Sequence, residues 1–118
     1  MCDFTGNIVP EMIKIRPVVV VARNRKNRHL VTVVPLSTTP PDTLERHHHT
    51  LSINPLPAKT HQTCWAKCDM LATVSLTRLD RIKVARSQYI VPTLAQSDFQ
   101  AVRSAIMSAL DLTAPRKS

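Results

Sequence analysis

Two β-branched runs dominate the first third of the chain, Pro17-Val18-Val19-Val20-Val21-Ala22 and Leu30-Val31-Thr32-Val33-Val34-Pro35-Leu36. Branching at Cβ restricts a side chain on a helix and suits a pleated surface, so each run predicts a short strand buried on both faces. Between them Arg23-Asn24-Arg25-Lys26-Asn27-Arg28-His29 is wholly polar. It predicts the loop of a hairpin joining adjacent antiparallel strands. A charge run of this kind is either a solvated loop or a set of phosphate contacts.

The next stretch, residues 37 to 63, reads differently. Pro40, Pro41, Pro55 and Pro57 interrupt it, with Ser, Thr and His between them. Prolines remove ladder donors, so this is mostly irregular surface, with one short strand at His48 to Ile53. A loop this long in a small domain is more often functional than idle. Thr63 to Val74 returns to strand character. Leu76, Leu79 and Ile82 suggest one helical turn, and Gln88 to Pro92 a final strand. A helix follows: Ser97 is a good N-cap, Asp98 sits in the first turn, and Phe99, Val102, Ile106 and Leu110 recur at helical spacing. Asp111 to Ser118 reads as a short basic tail. Several short strands and one terminal helix predict a mostly β (α+β) single domain over residues 1–118, a small antiparallel barrel.

Composition removes whole classes of function. Glycine occurs once, at Gly6, which leaves no Gly-rich phosphate loop and no dinucleotide fingerprint. Phe4, Trp65, Tyr89 and Phe99 are the whole aromatic complement, too few for a base-stacking sheet. Sixteen Lys and Arg against eight Asp and Glu give a net charge of +8, which favours a polyanionic partner, either nucleic acid or an acidic protein. No run reaches the roughly 18 apolar residues of a membrane span. Met1-Cys2-Asp3-Phe4-Thr5 lacks the features of a secretory signal. The three cysteines read as reduced thiols. The expected location is the cytoplasm, with no membrane partner.

Three constellations could carry chemistry. Arg16 precedes Pro17, which biases it toward extended geometry and holds its guanidinium at a strand end. Ser37-Thr38-Thr39 places three hydroxyls where a buried strand exits, and these either close local backbone bonds or hold a phosphate. Cys64-Trp65-Ala66-Lys67-Cys68-Asp69 invites a zinc hypothesis together with His61. Read as one strand, however, Cys64 and Cys68 stand about 13 Å apart, too far for one zinc or a disulfide. No metal site is expected there. The same alternation puts Lys67 and Asp69 on one face, as a salt bridge or an acid/base pair. In His47-His48-His49 adjacent rings of a strand point to alternate faces, so at most two cooperate.

These segments resemble the MazF/PemK family of type II toxin–antitoxin toxins. The resemblance rests on Met1-Cys2-Asp3-Phe4, on Pro10-Glu11-Met12-Ile13-Lys14-Ile15-Arg16-Pro17 with the valines after it, on Val33 to Thr39 and on Trp65 to Met70. It implies an SH3-like barrel with a C-terminal helix, normally a homodimer, and sequence-specific, metal-independent cleavage of single-stranded RNA. In the implied mechanism the ribose 2′-OH attacks its own phosphorus, giving 2′,3′-cyclic phosphate and 5′-OH ends without any cofactor. Arg16 would then stabilise the developing charge, Thr38 or Thr39 would contact the phosphate, and Lys67 and Asp69 would be the acid-side cation and base-side carboxylate. Lys14, Arg23, Arg25, Lys26, Arg28, Ser37, Thr39 and His48 are the expected RNA contacts, and an acidic antitoxin is the expected protein partner.

Departures from the pattern define the rivals. Lys67 stands where that branch has arginine, so a point charge replaces a bidentate fork. The loop before Arg16 has no histidine, though Glu11 or Lys14 could substitute. Ala72 stands where many relatives carry arginine, and the usual Gly-Asp opening of the first strand is absent, as if that strand were truncated. These departures leave room for a catalytically weak RNA-binding domain. A gyrase-poisoning toxin of the same fold is the other rival, but its essential C-terminal Trp has no counterpart in Ala114-Pro115-Arg116-Lys117-Ser118.

Overall fold

A computed structural model describes residues 1–9 and 14–112. Glu11, the preceding and following residues of that loop, and the basic tail from residue 113 lie outside the described residues. Among the described residues, nine short strands and one helix are ordered β1 (Cys2–Asp3), β2 (Ile15–Arg16), β3 (Val18–Arg23), β4 (Leu30–Ser37), β5 (His48–Thr50), β6 (Trp65–Lys67), β7 (Ala72–Ser75), β8 (Ile82–Ala85), β9 (Gln88–Ile90) and α1 (Gln96–Ala109). Single 3-10 turns occupy Pro57–Lys59, Cys68–Met70 and Leu76–Arg78.

β4 is the centre of the molecule. It pairs antiparallel with β3 along one edge and divides its other edge between β7, from Leu30 to Val33, and β6, at Leu36 and Ser37. β5 extends the sheet beyond β6. Pro35 explains the division. Leu36 N–H donates to Pro17 O on the β3 side at 2.9 Å. Amide directions alternate along a strand, so residue 35 would donate toward the opposite edge. The missing donor therefore falls in the gap between the β7 and β6 ladders, where a central strand tolerates proline.

Alternation along β4 also feeds two cores. Val34 and Leu36 pack with Val19, Leu51, Cys64, Ala66 and Cys68 against Val102 and Ala105 of the helix. Val31 and Val33 pack on the other face with Cys2, Phe4 and Val74. The prediction of a strand buried on both faces thus holds for β4 and fails for β3, where Val20 is 43% exposed. The reason is that β3 is an edge strand, paired only with β4.

The mostly antiparallel architecture with a C-terminal helix is as expected, but the strands do not close into a barrel among the described residues. β1–β2, the five-stranded sheet and the β8–β9 hairpin are separate ladders, and an isolated bridge pairs Cys2 of β1 with Leu79 ahead of β8. Prolines and two- to four-residue strands leave too few consecutive donors for closure.

Local readings are corrected in three places. The helix begins at Gln96 with Ala95 at the N-cap and no side-chain cap, so Ser97 lies inside the first turn. Leu110 lies past the helix and is exposed. The expected strand over Thr63 to Val74 is broken by the Cys68–Met70 turn, which steps the chain from β6 to β7.

The hairpin loop is held by its own asparagines. Asn24 Oδ1 accepts from Lys26 N and Asn27 N, each at 2.9 Å, and Asn27 Oδ1 accepts from His29 N at 3.0 Å. These Asx turns occupy three of the loop's backbone donors, and the side chains of Arg23, Arg25, Lys26 and Arg28 are exposed.

Candidate functional site

Arg16 ends β2, beside the point where β4 runs out at Ser37. Its Nε is buried and has no hydrogen-bond partner among the described residues. A buried donor left unpaired costs about 1–3 kcal/mol, so the position is one a ligand acceptor would improve. Arg16 lines a small cavity of about 140 Å³ with Ser37, Thr38, Asn54, Lys59 and Cys64. Among the described residues no aspartate or glutamate lines it, while Arg16 and Lys59 both do.

Each wall of this cavity has a local cause. Ser37 Oγ accepts Thr39 N–H at 3.1 Å, which folds the strand exit back and turns Thr38 toward the cavity while Thr39 stays exposed. Asn54, 3% exposed, pins the proline-rich loop: its Oδ1 accepts from Leu56 N at 2.9 Å and its Nδ2 donates to Gln62 O at 3.3 Å. The Pro57–Lys59 turn then carries Lys59 to the cavity. Lys59 and Asn54 were missed by sequence reasoning. The signal, a cation and a turn-forming Asn within the proline-rich stretch, was present but had no position until the loop folded.

Lys67 and Asp69 lie elsewhere. Lys67 is the last residue of β6 and sits opposite His48 of β5. Asp69 is on the 3-10 turn that follows, so the strand alternation expected to carry Lys67 and Asp69 on one face stops at Lys67. Asp69 Oδ2 is 3.7 Å from His47 Nε2, and His47 Nδ1 is 3.5 Å from Glu45 Oε2. His48 Nδ1 accepts Glu45 N–H at 3.0 Å. Neither Lys67 nor Asp69 lines the Arg16 cavity. The structure therefore forms two groups, Arg16–Ser37–Thr38–Lys59 and His47–His48–Lys67–Asp69, toward opposite ends of the three-residue β6. Lys14, exposed just before β2, flanks the first group.

The thiols are poor nucleophiles. Burial pushes both Cys64 and Cys68 up to about 11, for Cys64 against a backbone hydrogen bond from Ser37 that acts the other way.

Residues 1–110 match the family described as PemK-like, MazF-like toxin of type II toxin–antitoxin systems. The chain belongs to that family. The uncharacterized protein YifN of Escherichia coli strain K12 is 35% identical over 113 residues, spanning 92% of this chain and 74% of YifN. Among solved structures, the Mycobacterium tuberculosis toxin MazF-mt6 superposes with a TM-score of 0.62 at 27% identity, over 88% of this chain and 94% of the toxin. An endoribonuclease in complex with its cognate antitoxin, from a mycobacterial species, gives 0.64 at 21% identity over 97% and 91%. At that identity the likeness shows the fold. The PemK-like, MazF-like fold thus holds here with an open sheet in place of a closed barrel, and no described helix is long and apolar enough to cross a membrane.

Proposed function

We propose that this PemK-like, MazF-like chain is a sequence-specific, metal-independent endoribonuclease that cleaves single-stranded RNA and so arrests growth. The observation that carries the reading is the buried Nε of Arg16, unpartnered among the described residues, at a cavity that these line with hydroxyls and a second cation but no carboxylate. Such a cavity suits a phosphate. The RNA 2′-oxygen forms a bond to its own phosphorus, the bond to the 5′-oxygen breaks, and the products are a 2′,3′-cyclic phosphate and a 5′-hydroxyl. Arg16 and Lys59 stabilise charge on the phosphorane, and Thr38 donates to a phosphate oxygen. Asp69 and Lys67, which lie outside that cavity at the other end of β6, take the 2′-OH proton and supply one to the leaving oxygen once bound RNA brings the two groups onto one phosphate.

The exposed cations of the Arg23–Arg28 loop, with Lys14, Ser37, Thr39 and His48, hold the strand on either side. The protein works in the cytoplasm as a homodimer restrained by an acidic antitoxin. The apolar groove of about 1430 Å³ between β3 and the segment leading into the helix, with Val20, Ile53 and Val91 exposed in it, is the surface left to cover. Light scattering at tens of micromolar should give twice the 13.2 kDa chain mass; a monomer removes the dimer.

The deciding experiment digests long RNA in excess EDTA and maps the ends. Cleavage at short recurring sequences with 5′-hydroxyl ends is expected. Activity that disappears with chelator and returns with magnesium overturns the mechanism, and RNA binding without cleavage at any enzyme concentration leaves the weak RNA-binding domain as the reading.

A further inference from the structure

His47, His48 and Asp69 come together through a turn that strand geometry alone would forbid. Consecutive strand residues point to opposite faces. β5 begins only at His48, however, and His47 belongs to a turn closed by His48 N–H donating to Glu45 O at 3.0 Å. The turn folds the first imidazole back over the second, with ring centroids 4.2 Å apart at 59°. Asp69 reaches the pair from the 3-10 turn after β6, which is hydrogen-bonded to the same segment through Cys68 N–H and His47 O at 3.0 Å.

One donor atom from each of the three side chains lies within 4.8 Å of the other two. Four ligands around one zinc, at bonds of about 2.0–2.1 Å, stand roughly 3.4 Å apart. The widest gap has to close by roughly 1.4 Å, which the partly exposed side chains can do by small torsion changes. Glu45, 3.5 Å from His47 on its far side, is near enough to orient that ring or to enter the coordination shell.

We propose that His47, His48 and Asp69 form a binding site for a divalent transition-metal ion of the zinc class. Two imidazoles and a carboxylate suit borderline ions such as Zn²⁺, Co²⁺ or Ni²⁺; Mg²⁺ prefers all-oxygen shells. Three protein donors leave one position for water. Glu45 N–H occupies Nδ1 of His48, so an ion taking that nitrogen exchanges one amide hydrogen bond for ligation. The site has a consequence that rests on the nuclease reading: an ion bound to Asp69 withholds the carboxylate from the RNA 2′-OH, so zinc lowers cleavage and chelator restores it.

The test titrates the purified full-length chain with Co²⁺ and Zn²⁺, reading the visible ligand-field bands of cobalt and the heat of zinc binding. One equivalent per chain is expected. His47→Ala and the near-isosteric Asp69→Asn should each weaken binding at least about tenfold while circular dichroism stays native. His61→Ala, on an exposed histidine outside the cluster, should bind as the parent does. Absence of saturable uptake by the parent overturns the site and leaves His47 simply held between two carboxylates. Equal uptake by both cluster variants, or a sulfur-to-cobalt charge-transfer band marking a cysteine ligand, overturns it as well. If the ion binds as described but RNA cleavage is unchanged, the site stands and the role of Asp69 in cleavage falls.

Discussion

His49 Nε2 of β5 donates to Oδ1 of Asp98 in the first turn of the C-terminal helix, at 2.8 Å and across 49 residues of sequence. Asp98 is 6% exposed and also accepts from the hydroxyl and backbone N–H of Ser52. This carboxylate is the polar fastening between helix and sheet, at a helix N-terminus where negative charge is favoured.

Replacing it should therefore cost stability. Asp98→Ala leaves His49 and Ser52 without their acceptor, and the expected loss is about 2–3 kcal/mol, seen as a drop in Tm of roughly 10 °C. Burial pushes the Asp98 carboxyl up, but the bonds from Ser52 and His49 prevail and hold it below its ordinary value of 3.8. A carboxyl lowered by folding binds protons less readily than the unfolded chain does. Its contribution is whole above 3.8 and drains away as pH falls through the lowered value. Acid unfolding compared between parent and Asp98→Asn checks the sign: the parent should lose its advantage in that window.

Arg16 and Asp69 separate catalysis from binding. Arg16→Ala should lower single-turnover cleavage about 10²- to 10³-fold, the cost of one preorganised donor. Folding should be unharmed, because the Arg16 Nε makes no hydrogen bond among the described residues. Asp69→Asn should lower cleavage while RNA affinity holds or rises slightly through lost repulsion. Cleavage by both variants within a few-fold of the parent would sink the assignment.

Lys59 is expected to act as the second cation of the Arg16 cavity. Lys59→Met should weaken RNA affinity and reduce the salt slope of log K by about one. An unchanged slope, measured between low and moderate salt, would mean that Lys59 touches no phosphate.

Cys64 and Cys68 should be nearly inert in the native protein. With thiols raised to about 11, very little thiolate exists at pH 8. Ellman's reagent should react with them only as fast as the protein opens, and in full once it is unfolded. Rapid native reaction of either thiol contradicts the burial.

The family, the β3–β4 hairpin, the helix and the strand-end positions of Arg16 and Thr38 could all be read along the chain. They rest on local signals: β-branched runs, a turn rich in Asn, a 3.6-residue period, and a proline that orients its predecessor. The two-sided burial of β4 was likewise legible in its unbroken apolar run, whereas β3 has a similar run and an exposed face. An edge position is a property of which strands pair, and no single strand's sequence states it. Closure failed for the same reason, since it depends on ladders between segments far apart in sequence.

The site divides along that line too. Arg16 and Thr38 are placed by their own strands, so sequence located them. Lys59 needed Asn54 to fold the proline-rich loop, and Asp69 needed a 3-10 turn to leave the strand and meet His47. Asp69 and His47 meet because β5 pairs with β6, while Lys59 reaches Arg16 through the folded loop. Residue type and periodicity report what one segment prefers; the meeting of side chains from separate segments is decided by pairing and packing.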